Sequence, residues 1–458
     1  MDSLELSMKA FASFMWGLPL ILLLVGGGFF FTLHSKLRHF LYLGHAVALL
    51  SGKYSSDHTE SKGEISHFHA LSTALAGTMG LGNITGVAVA LTVGGPGAIF
   101  WMWVTAIVGI STKFYTASLA IMFRGYDDAG NLQGGPMYVI REGLGRKWMP
   151  LAWLFCVAGM MGTLPVFQVN QLVQVMRDTL AIPNGLATVQ SHFLFDFLAG
   201  GLLALVVLSV AVGKIERVSG VAARLVPLIM ISYLVVTGFI LISNASEIPP
   251  TLWFIVTDAF SGEAVSGGVI GTVILIGVQR GAFSNEAGIG TESLAHGAAK
   301  TNEPAREGLV AMLGPIADTL IVCTCTALTL LLTGVWDSGA VGVTMAAIAY
   351  ERILPGYGGY LLSLMVLVLS LTTVMTYWYY GSKCMGFLFG AKSEKFYMIF
   401  YISLILIGAL VSLDVVINLL DGSYAMMAIP TMISTLLLAD KVKESAKRYF
   451  TKLDNNML

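Results

Sequence analysis

The stretch AGTMGLGNITG, residues 76–86, places four glycines within ten residues of a long apolar run. A second stretch of this kind, GVQRGAFSNEAGIG, occupies residues 277–290. Each glycine in a helix interior costs about 1 kcal/mol relative to alanine. We therefore expect the backbone to leave the helical conformation near the middle of both apolar runs, and this expectation decides the fold.

The composition indicates an integral membrane protein. Hydrophobic residues make up 56% of the 458 residues and charged residues only 12%, about half the share that is typical of soluble domains. A net charge of −1 argues against a nucleic-acid-binding protein, because such proteins are basic. The sequence contains no phosphate-binding loop and no convincing Ser–His or Cys–His constellation, so we expect neither an ATP-driven pump nor an enzyme, and no cofactor.

Apolar stretches recur along the whole chain, and a bilayer takes about 20 residues to cross. They lie at residues 14–33, 69–92, 97–123, 150–177, 195–213, 221–243, 266–290, 306–333, 357–381, 396–413 and 422–440. Backbone groups have no water partner in lipid, so each stretch should be helical. We expect an all-α integral membrane protein with about eleven transmembrane helices, a single transmembrane domain over residues 1–458, and a cytoplasmic tail at 441–458.

The positive charges predict the orientation. With the N-terminus outside, 21 of the 26 lysines and arginines fall in cytoplasmic segments, and the C-terminus is cytoplasmic. Asp2, Glu5 and Lys9 precede the first apolar run, so the run lacks the basic start of a signal peptide, and we expect it to be retained as a helix. We expect a plasma-membrane location, in bacteria the inner membrane.

The two glycine-rich spans are five helices apart, which is the spacing expected of a five-plus-five inverted repeat. The first repeat would cover residues 69–243 and the second residues 266–440, with 14–33 as an extra N-terminal helix. Interrupted helices at matching positions of two repeats indicate the binding site of a transporter. Close helix packing through small residues is the alternative. Arg280 and Glu286 lie within the second span, either at a wet cavity or as a structural ion pair.

The chemistry of two such breaks suits an amino acid and a cation. An unwound helix exposes amide groups at the start of its second half, which attract a carboxylate. Carbonyl groups at the end of the first half attract a cation or an ammonium group. The hydroxyls of Thr372 and Thr373 either complete a cation site of about five oxygens or bond their own helix backbone. Asp318 either bonds a neighbouring helix or belongs to an ion path.

Residues 94–109, GGPGAIFWMWVTAIVG, closely resemble the alanine/glycine:cation symporter family, also called sodium:alanine symporters. The resemblance continues through GGPMY at 134–138, RGAFSNEAG at 280–288 and CTCTAL at 323–328, and it covers essentially all spans. It implies a leucine-transporter-type fold with one extra N-terminal helix. It also implies symport of alanine or glycine with sodium, with no other cofactor.

The resemblance also implies site residues, position by position. The segment Gly80–Asn83 matches the unwound stretch that receives the substrate carboxylate, and Phe283 matches an aromatic side chain that covers the substrate. The implied substrate-binding residues are Gly80, Leu81, Gly82, Asn83, Gln168, Phe283, Ser284, Asn285 and Tyr377. The implied sodium ligands are the carbonyls of Ala76, Met79 and Leu369 and the hydroxyls of Thr372 and Thr373.

The chain departs from the family's pattern near the expected pocket. Leu81 stands where threonine is usual, Thr376-Tyr377 replaces Gly-Trp, and Leu164-Pro165 replaces Gly-Asn. These departures leave serine, glutamine or another neutral amino acid open as the substrate, and Glu286 leaves proton coupling open. A channel would want a continuous polar path and a membrane-embedded enzyme a positioned nucleophile and base, so both are remote alternatives. Stoichiometry and oligomeric state stay open.

Overall fold

The computed structural model describes residues 2–54, 62–260, 269–340, 342–411 and 416–455. Apolar runs become helices because only helical backbone satisfies its own polar groups in lipid. Eight helices have the length and hydropathy to cross a membrane: Glu5–His34, Gly97–Met122, Arg146–Ala181, Phe193–Ala211, Lys214–Ser243, Pro304–Leu332, Gly358–Phe389 and Ala391–Leu410. The fold is therefore that of an all-α, multi-pass membrane protein.

Two further pairs of helices pass the same test only when each bent pair is taken as one span. The first pair is His67–Thr78 with Gly82–Gly94, bent by 52°, which we call the first broken helix. In the second pair, Ala439–Asp454 is bent by 61° from the helix before it, Val416–Leu437. We call Ala439–Asp454 the C-terminal helix. The described part of the chain thus holds eight such helices, or ten with both bent pairs.

The expected seventh span is a shorter helix, Val269–Asn285, which is followed by the short helix Thr291–His296. We call these two helices the second broken helix. The expected bounds 266–290 begin outside the described residues, as residues 266–268 are not described, and part of the expected 396–413 span also lies outside. The count of eleven spans and the five-plus-five repeat therefore stay predictions.

Shorter elements connect the spans. The helices among them are Leu43–Leu50, Pro136–Tyr138, Ile248–Asp258 and Gly342–Ile353. Strands Gly125–Tyr126 and Leu132–Gln133 pair in antiparallel fashion. The N-terminal helix begins at Asp2, earlier than the expected residue 14. The expected tail at 441–458 is largely the C-terminal helix, which buries Val442, Tyr449 and Phe450 against the body of the protein.

The loop before the first broken helix is hydrogen-bonded to the loop after the second broken helix. The amide of Glu64 donates to the carbonyl of Ala298 (2.8 Å), and Ile65 forms a bridge with Ala299. Arg124 donates to the carbonyls of Gly297 (2.7 Å), Lys62 (3.0 Å), Thr301 (3.0 Å) and Ala299. One guanidinium therefore holds both loops at the same end of the bundle.

A buried carboxylate joins the two broken helices at this end. Glu307, at the start of the span Pro304–Leu332, accepts hydrogen bonds from two imidazole rings through its two oxygens. Its Oε1 lies 2.5 Å from Nδ1 of His296, at the end of the second broken helix, and its Oε2 contacts Nδ1 of His67, at the start of the first. All three side chains are buried, so this cluster fixes three helix ends to one another.

Replacing Glu307 with glutamine should lower the stability of the protein by roughly 3 kcal/mol, because two buried imidazoles lose a charged partner. Thermal unfolding of the purified protein in detergent measures this loss. Glu303→Gln is the matched control, since Glu303 pairs with Lys452 (3.3 Å) in a partly exposed ion pair that contributes about 0–1 kcal/mol. Equal stability of Glu307→Gln and the control would contradict a structural role for the cluster.

Candidate functional site

The first broken helix opens where the sequence predicts it. The helix ends at Thr78, and the chain continues as a helix only from Gly82. In an unbroken helix the amide of Gly80 would donate to the carbonyl of Ala76; here it donates to Thr78 (2.8 Å). The amide of Asn83 likewise donates to Gly80 (3.3 Å) instead of Met79. The break therefore releases the carbonyls of Ala76 and Met79 from the helix.

The break also leaves donors free. Among the described residues, the amides of Leu81 and Gly82 have no hydrogen-bond acceptor. Buried backbone amides are rarely left without a partner. Two unpaired amides at the start of the second half of this helix therefore mark a place where a ligand with acceptor oxygens is expected.

The second broken helix opens later than the glycine pattern predicts. Gly277 and Gly281 remain helical and serve close packing: a Cβ on Gly277 would lie 2.5 Å from the carbonyl oxygen of Ala98, and one on Gly281 3.1 Å from Cα of Met102. The packing alternative is thus correct for these two glycines. The helix ends at Asn285, and the break follows over 286–290, where Glu286, Gly288 and Gly290 all have positive φ (56°, 87° and 99°).

A cavity of about 280 Å³ lies between the two broken helices and three other helices, Arg146–Ala181, Gly358–Phe389 and Val416–Leu437. Four of the predicted substrate-binding residues line it: Gly82, Gln168, Phe283 and Tyr377. Leu164, a second position at which the sequence departs from the family's pattern, also lines the cavity. The two departures, Leu164 and Tyr377, therefore lie where a substrate would touch them.

Two charged side chains in the cavity wall were not predicted as site residues. Arg280 comes from the second broken helix and Asp421 from Val416–Leu437. Arg280 could have been predicted as a site residue, because it is a charged residue within an apolar run. The sequence gives no such signal for Asp421, because the predicted eleventh span starts at residue 422. The cavity thus presents one cation and one anion to a bound molecule.

Three predicted substrate-binding residues, Asn83, Ser284 and Asn285, are absent from the wall of this cavity. Asn83 donates through Nδ2 to Oδ1 of Asp318 (2.5 Å), and Ser284 donates to Oδ2 of the same carboxylate (2.6 Å). Oδ1 of Asn285 accepts from the amide of Ala287 (3.0 Å). Asp318 therefore bonds neighbouring helices, and it fastens the first broken helix to the second behind the cavity.

Gly80 and Leu81 are also outside the cavity wall. Leu81 is fully buried. A Cβ on Gly80 would lie 2.7 Å from Oγ1 of Thr373, so only glycine permits this close approach between the first broken helix and Gly358–Phe389. Gly80 therefore lies at the contact with Thr373 and outside the wall of this cavity, and its predicted role in substrate binding stays a prediction.

Four of the five predicted sodium ligands are linked by hydrogen bonds at that contact. The hydroxyl of Thr373 lies 2.9 Å from the carbonyl oxygens of both Ala76 and Leu369. The hydroxyl of Thr372 lies 2.9 Å from the oxygen of Leu369, and Met79 borders a small gap beside Leu369. Thr372 bonds its own helix, as the alternative states, whereas Thr373 reaches across to the broken helix. These are neutral oxygens, the ligand type that hard cations prefer.

Glu286 connects the second break to the cavity wall. One of its oxygens accepts a hydrogen bond from the hydroxyl of Tyr377 (3.1 Å), and the other from Thr291. Two hydroxyl donors, rather than Arg280, therefore hold this buried carboxylate. Tyr377 therefore lines the cavity and also donates a hydrogen bond to Glu286.

Comparison with known proteins gives a consistent result. A model of the sodium:alanine symporter family matches residues 1–457. The sodium/alanine symporter AgcS of Methanococcus maripaludis is 38% identical over 446 residues, covering 95% of each chain. An uncharacterized transporter of Haemophilus influenzae is 36% identical over 466 residues, covering 99% of this chain and 98% of that protein.

A probable sodium/glutamine symporter of Bacillus subtilis, GlnT, is 32% identical over 438 residues, covering 95% of this chain and 88% of the relative. These relatives are transporters by name, and none of the three is named as an enzyme. The match to the family model extends over all described spans and over both broken helices. The chain therefore belongs to the sodium:alanine symporter family.

Proposed function

We propose that this protein carries a small neutral amino acid, alanine or glycine, across the plasma membrane together with sodium. The observation that supports this most directly is the cavity between the two broken helices, which has Arg280 and Asp421 among its lining residues. An amino acid is a zwitterion, so its carboxylate and ammonium groups complement such a pair of charges. Phe283 and Leu164 supply apolar surface for a small side chain.

The first broken helix supplies the more specific carboxylate site. Gly82 lines the cavity and Leu81 precedes it, and the amides of both have no hydrogen-bond acceptor among the described residues. Both stand at the start of the second half of the helix, where the helix dipole favours negative charge. Gln168 has a buried Oε1 without a hydrogen-bond partner among the described residues, which suits an ammonium or hydroxyl donor on the substrate.

Sodium would occupy the oxygen cluster of Ala76, Met79, Leu369, Thr372 and Thr373. The threonine hydroxyls would then turn their lone pairs to the ion instead of donating to the carbonyls. Gly80 touches Thr373, and Gly82, two residues on, lines the cavity. The ion and the amino acid therefore bind to opposite sides of one break, and each favours the backbone arrangement that the other needs.

The driving force is sufficient for accumulation. One sodium ion that moves through about 100 mV releases roughly 2.3 kcal/mol, and a tenfold concentration gradient adds about 1.4 kcal/mol. Together these terms support an accumulation of about 500-fold. Rocking of one helix bundle about the broken helices would expose the site to each side of the membrane in turn.

A second candidate is coupling to protons, and the contact between Tyr377 and Glu286 favours it. A buried carboxylate that bonds a cavity-lining hydroxyl can exchange a proton in step with substrate binding.

A larger neutral substrate such as serine or glutamine is the other alternative, since glutamine is named for a relative and the family's pattern changes at Leu164 and Tyr377. Both alternatives keep the transporter fold and the same cavity.

Uptake of labelled alanine into proteoliposomes tests the proposal. We expect accumulation with an inward sodium gradient and little uptake when potassium replaces sodium. Accumulation under a proton gradient without sodium would favour the second candidate. Failure of alanine, glycine, serine and glutamine to accumulate under either gradient, with folded protein, would contradict the proposal.

Replacing Thr373 with alanine should weaken the activation of uptake by sodium about 10- to 100-fold, because one oxygen that meets a charge contributes roughly 1.5–3 kcal/mol. Thr373→Ser should restore most of the response, since it returns the hydroxyl. Thr329→Ala is a matched control: its buried hydroxyl bonds the carbonyl of Cys325 in its own helix (2.8 Å). An unchanged sodium dependence in Thr373→Ala would remove this residue from the ion site.

Replacing Gly80 with alanine should weaken sodium activation as well, because the new methyl group would displace the Thr373 hydroxyl at a cost of roughly 1–3 kcal/mol. The control is Gly220→Ala, in another membrane helix, where a Cβ meets no atom within 4 Å. The sodium dependence of uptake is measured for both variants. Wild-type behaviour of Gly80→Ala would show that the close approach to Thr373 is not required.

A further inference from the structure

A second cavity lies beside the C-terminal helix, and none of its lining residues lines the cavity between the two broken helices. It has a volume of about 240 Å³ and is lined by four residues of the segment 35–39 (all but Leu37), by the span Gly97–Met122 and by the C-terminal helix. Four cations line it: Lys36 and Arg38 from the segment after the first span, and Lys443 and Lys447 from the C-terminal helix. None of the four forms an ion pair with another described residue.

This concentration of charge has no acidic counterpart in the cavity wall. The carboxylate of Asp440 on the C-terminal helix contacts Nε2 of His34 (3.0 Å) and is not among the lining residues. Four like charges around one cavity repel one another, and an anion in the cavity relieves that repulsion. The electrostatics therefore favour an anionic ligand.

The fully buried His39 also points to a ligand. It lines the cavity, and its Nε2 lies 2.9 Å from the hydroxyl of Ser111. Its Nδ1 has no hydrogen-bond partner in the described part of the chain. Burial lowers the pKa of His39 to about 4, so the ring is neutral at pH 7 and acts as a hydrogen-bonding group beside the four cations. A buried polar atom of this kind normally has a partner.

The surroundings of the cavity are those of a lipid-facing surface. Leu33, Leu37 and Leu41, on the same segment as Lys36 and Arg38, are 59%, 53% and 80% exposed. Apolar side chains this exposed are expected to face acyl chains in a membrane protein. The positive charges predict that this end of the bundle is cytoplasmic, where basic cavities between transmembrane helices bind anionic headgroups.

We propose that this cavity binds the phosphate headgroup of an anionic phospholipid and that its acyl chains lie along Leu33, Leu37 and Leu41. The phosphate would contact the cations from both segments and Nδ1 of His39. It would thereby tie the C-terminal helix to the segment that follows the first span. This site is separate from amino-acid transport and does not depend on the substrate.

Titration of the delipidated full-length protein with phosphatidylglycerol in neutral detergent tests the proposal. We expect phosphatidylglycerol to raise the midpoint of thermal unfolding and phosphatidylcholine to leave it unchanged. The double variant K443Q/K447Q should need about 30-fold more phosphatidylglycerol for the same shift, because both lysines meet the headgroup.

The double variant K441Q/R448Q is the matched control. It removes two charges from the same helix, and these two residues line a different cavity. We expect its response to phosphatidylglycerol to stay within about twofold of the wild type. An equal loss in both double variants would show a diffuse attraction to the helix and would overturn the proposal. Stabilisation by inorganic phosphate alone, with none from phosphatidylglycerol, would also overturn it.

Discussion

The contact between Gly80 and Thr373 is the constraint on which the rest of the site depends. A helix that opens inside a membrane releases polar backbone groups that lipid cannot satisfy. Here the released carbonyl of Ala76 meets the hydroxyl of Thr373, and this requires an approach that a Cβ on Gly80 would prevent. The opening, the oxygen cluster and the cavity at Gly82 are therefore consequences of one break. In the proposed mechanism, a cation and an amino acid would both bind within reach of these few residues.

Side-chain contacts hold the two broken helices to each other on both sides of their openings. Asp318 bonds Asn83 and Ser284 behind the cavity, and Glu307 bonds His67 and His296 at one end of the bundle. Transport requires the halves of these helices to move relative to other helices. We infer that Asp318 keeps the two breaks in register behind the cavity, and that the Glu307 cluster fixes the ends of both broken helices.

Much of the fold and part of the site could be predicted from the sequence. Long apolar runs predict the spans because lipid permits little besides helix, and the glycines of 76–86 predict the first break. Successive residues of a helix point about 100° apart, so two neighbours on one broken helix face different surroundings. The sequence pattern does not say which of the two faces the cavity. Asn83 and Ser284 therefore proved to lie behind the cavity, although Gly82 and Phe283 beside them line it.

Other features depend on tertiary packing that the sequence does not state. Gly277 and Gly281 match the pattern of a helix break, yet in the structure they allow two helices to pack closely. A helix break and close packing can be told apart only when the neighbouring helix is known. Asp421 lies at the edge of an apolar run and enters the cavity because its helix begins earlier than hydropathy predicts. From the sequence, the lysines of the C-terminal helix predict a solvated tail. The packing of this helix against the protein places two of them beside Lys36 and Arg38.

The central claim is that one break binds sodium and the amino acid together. The most direct test measures the Kd of alanine for the purified protein at increasing sodium, with choline as the replacement ion. Linkage predicts that sodium tightens alanine binding, typically by about 5- to 150-fold, and that alanine tightens sodium binding by the same factor. The same alanine Kd at all sodium concentrations would contradict the claim.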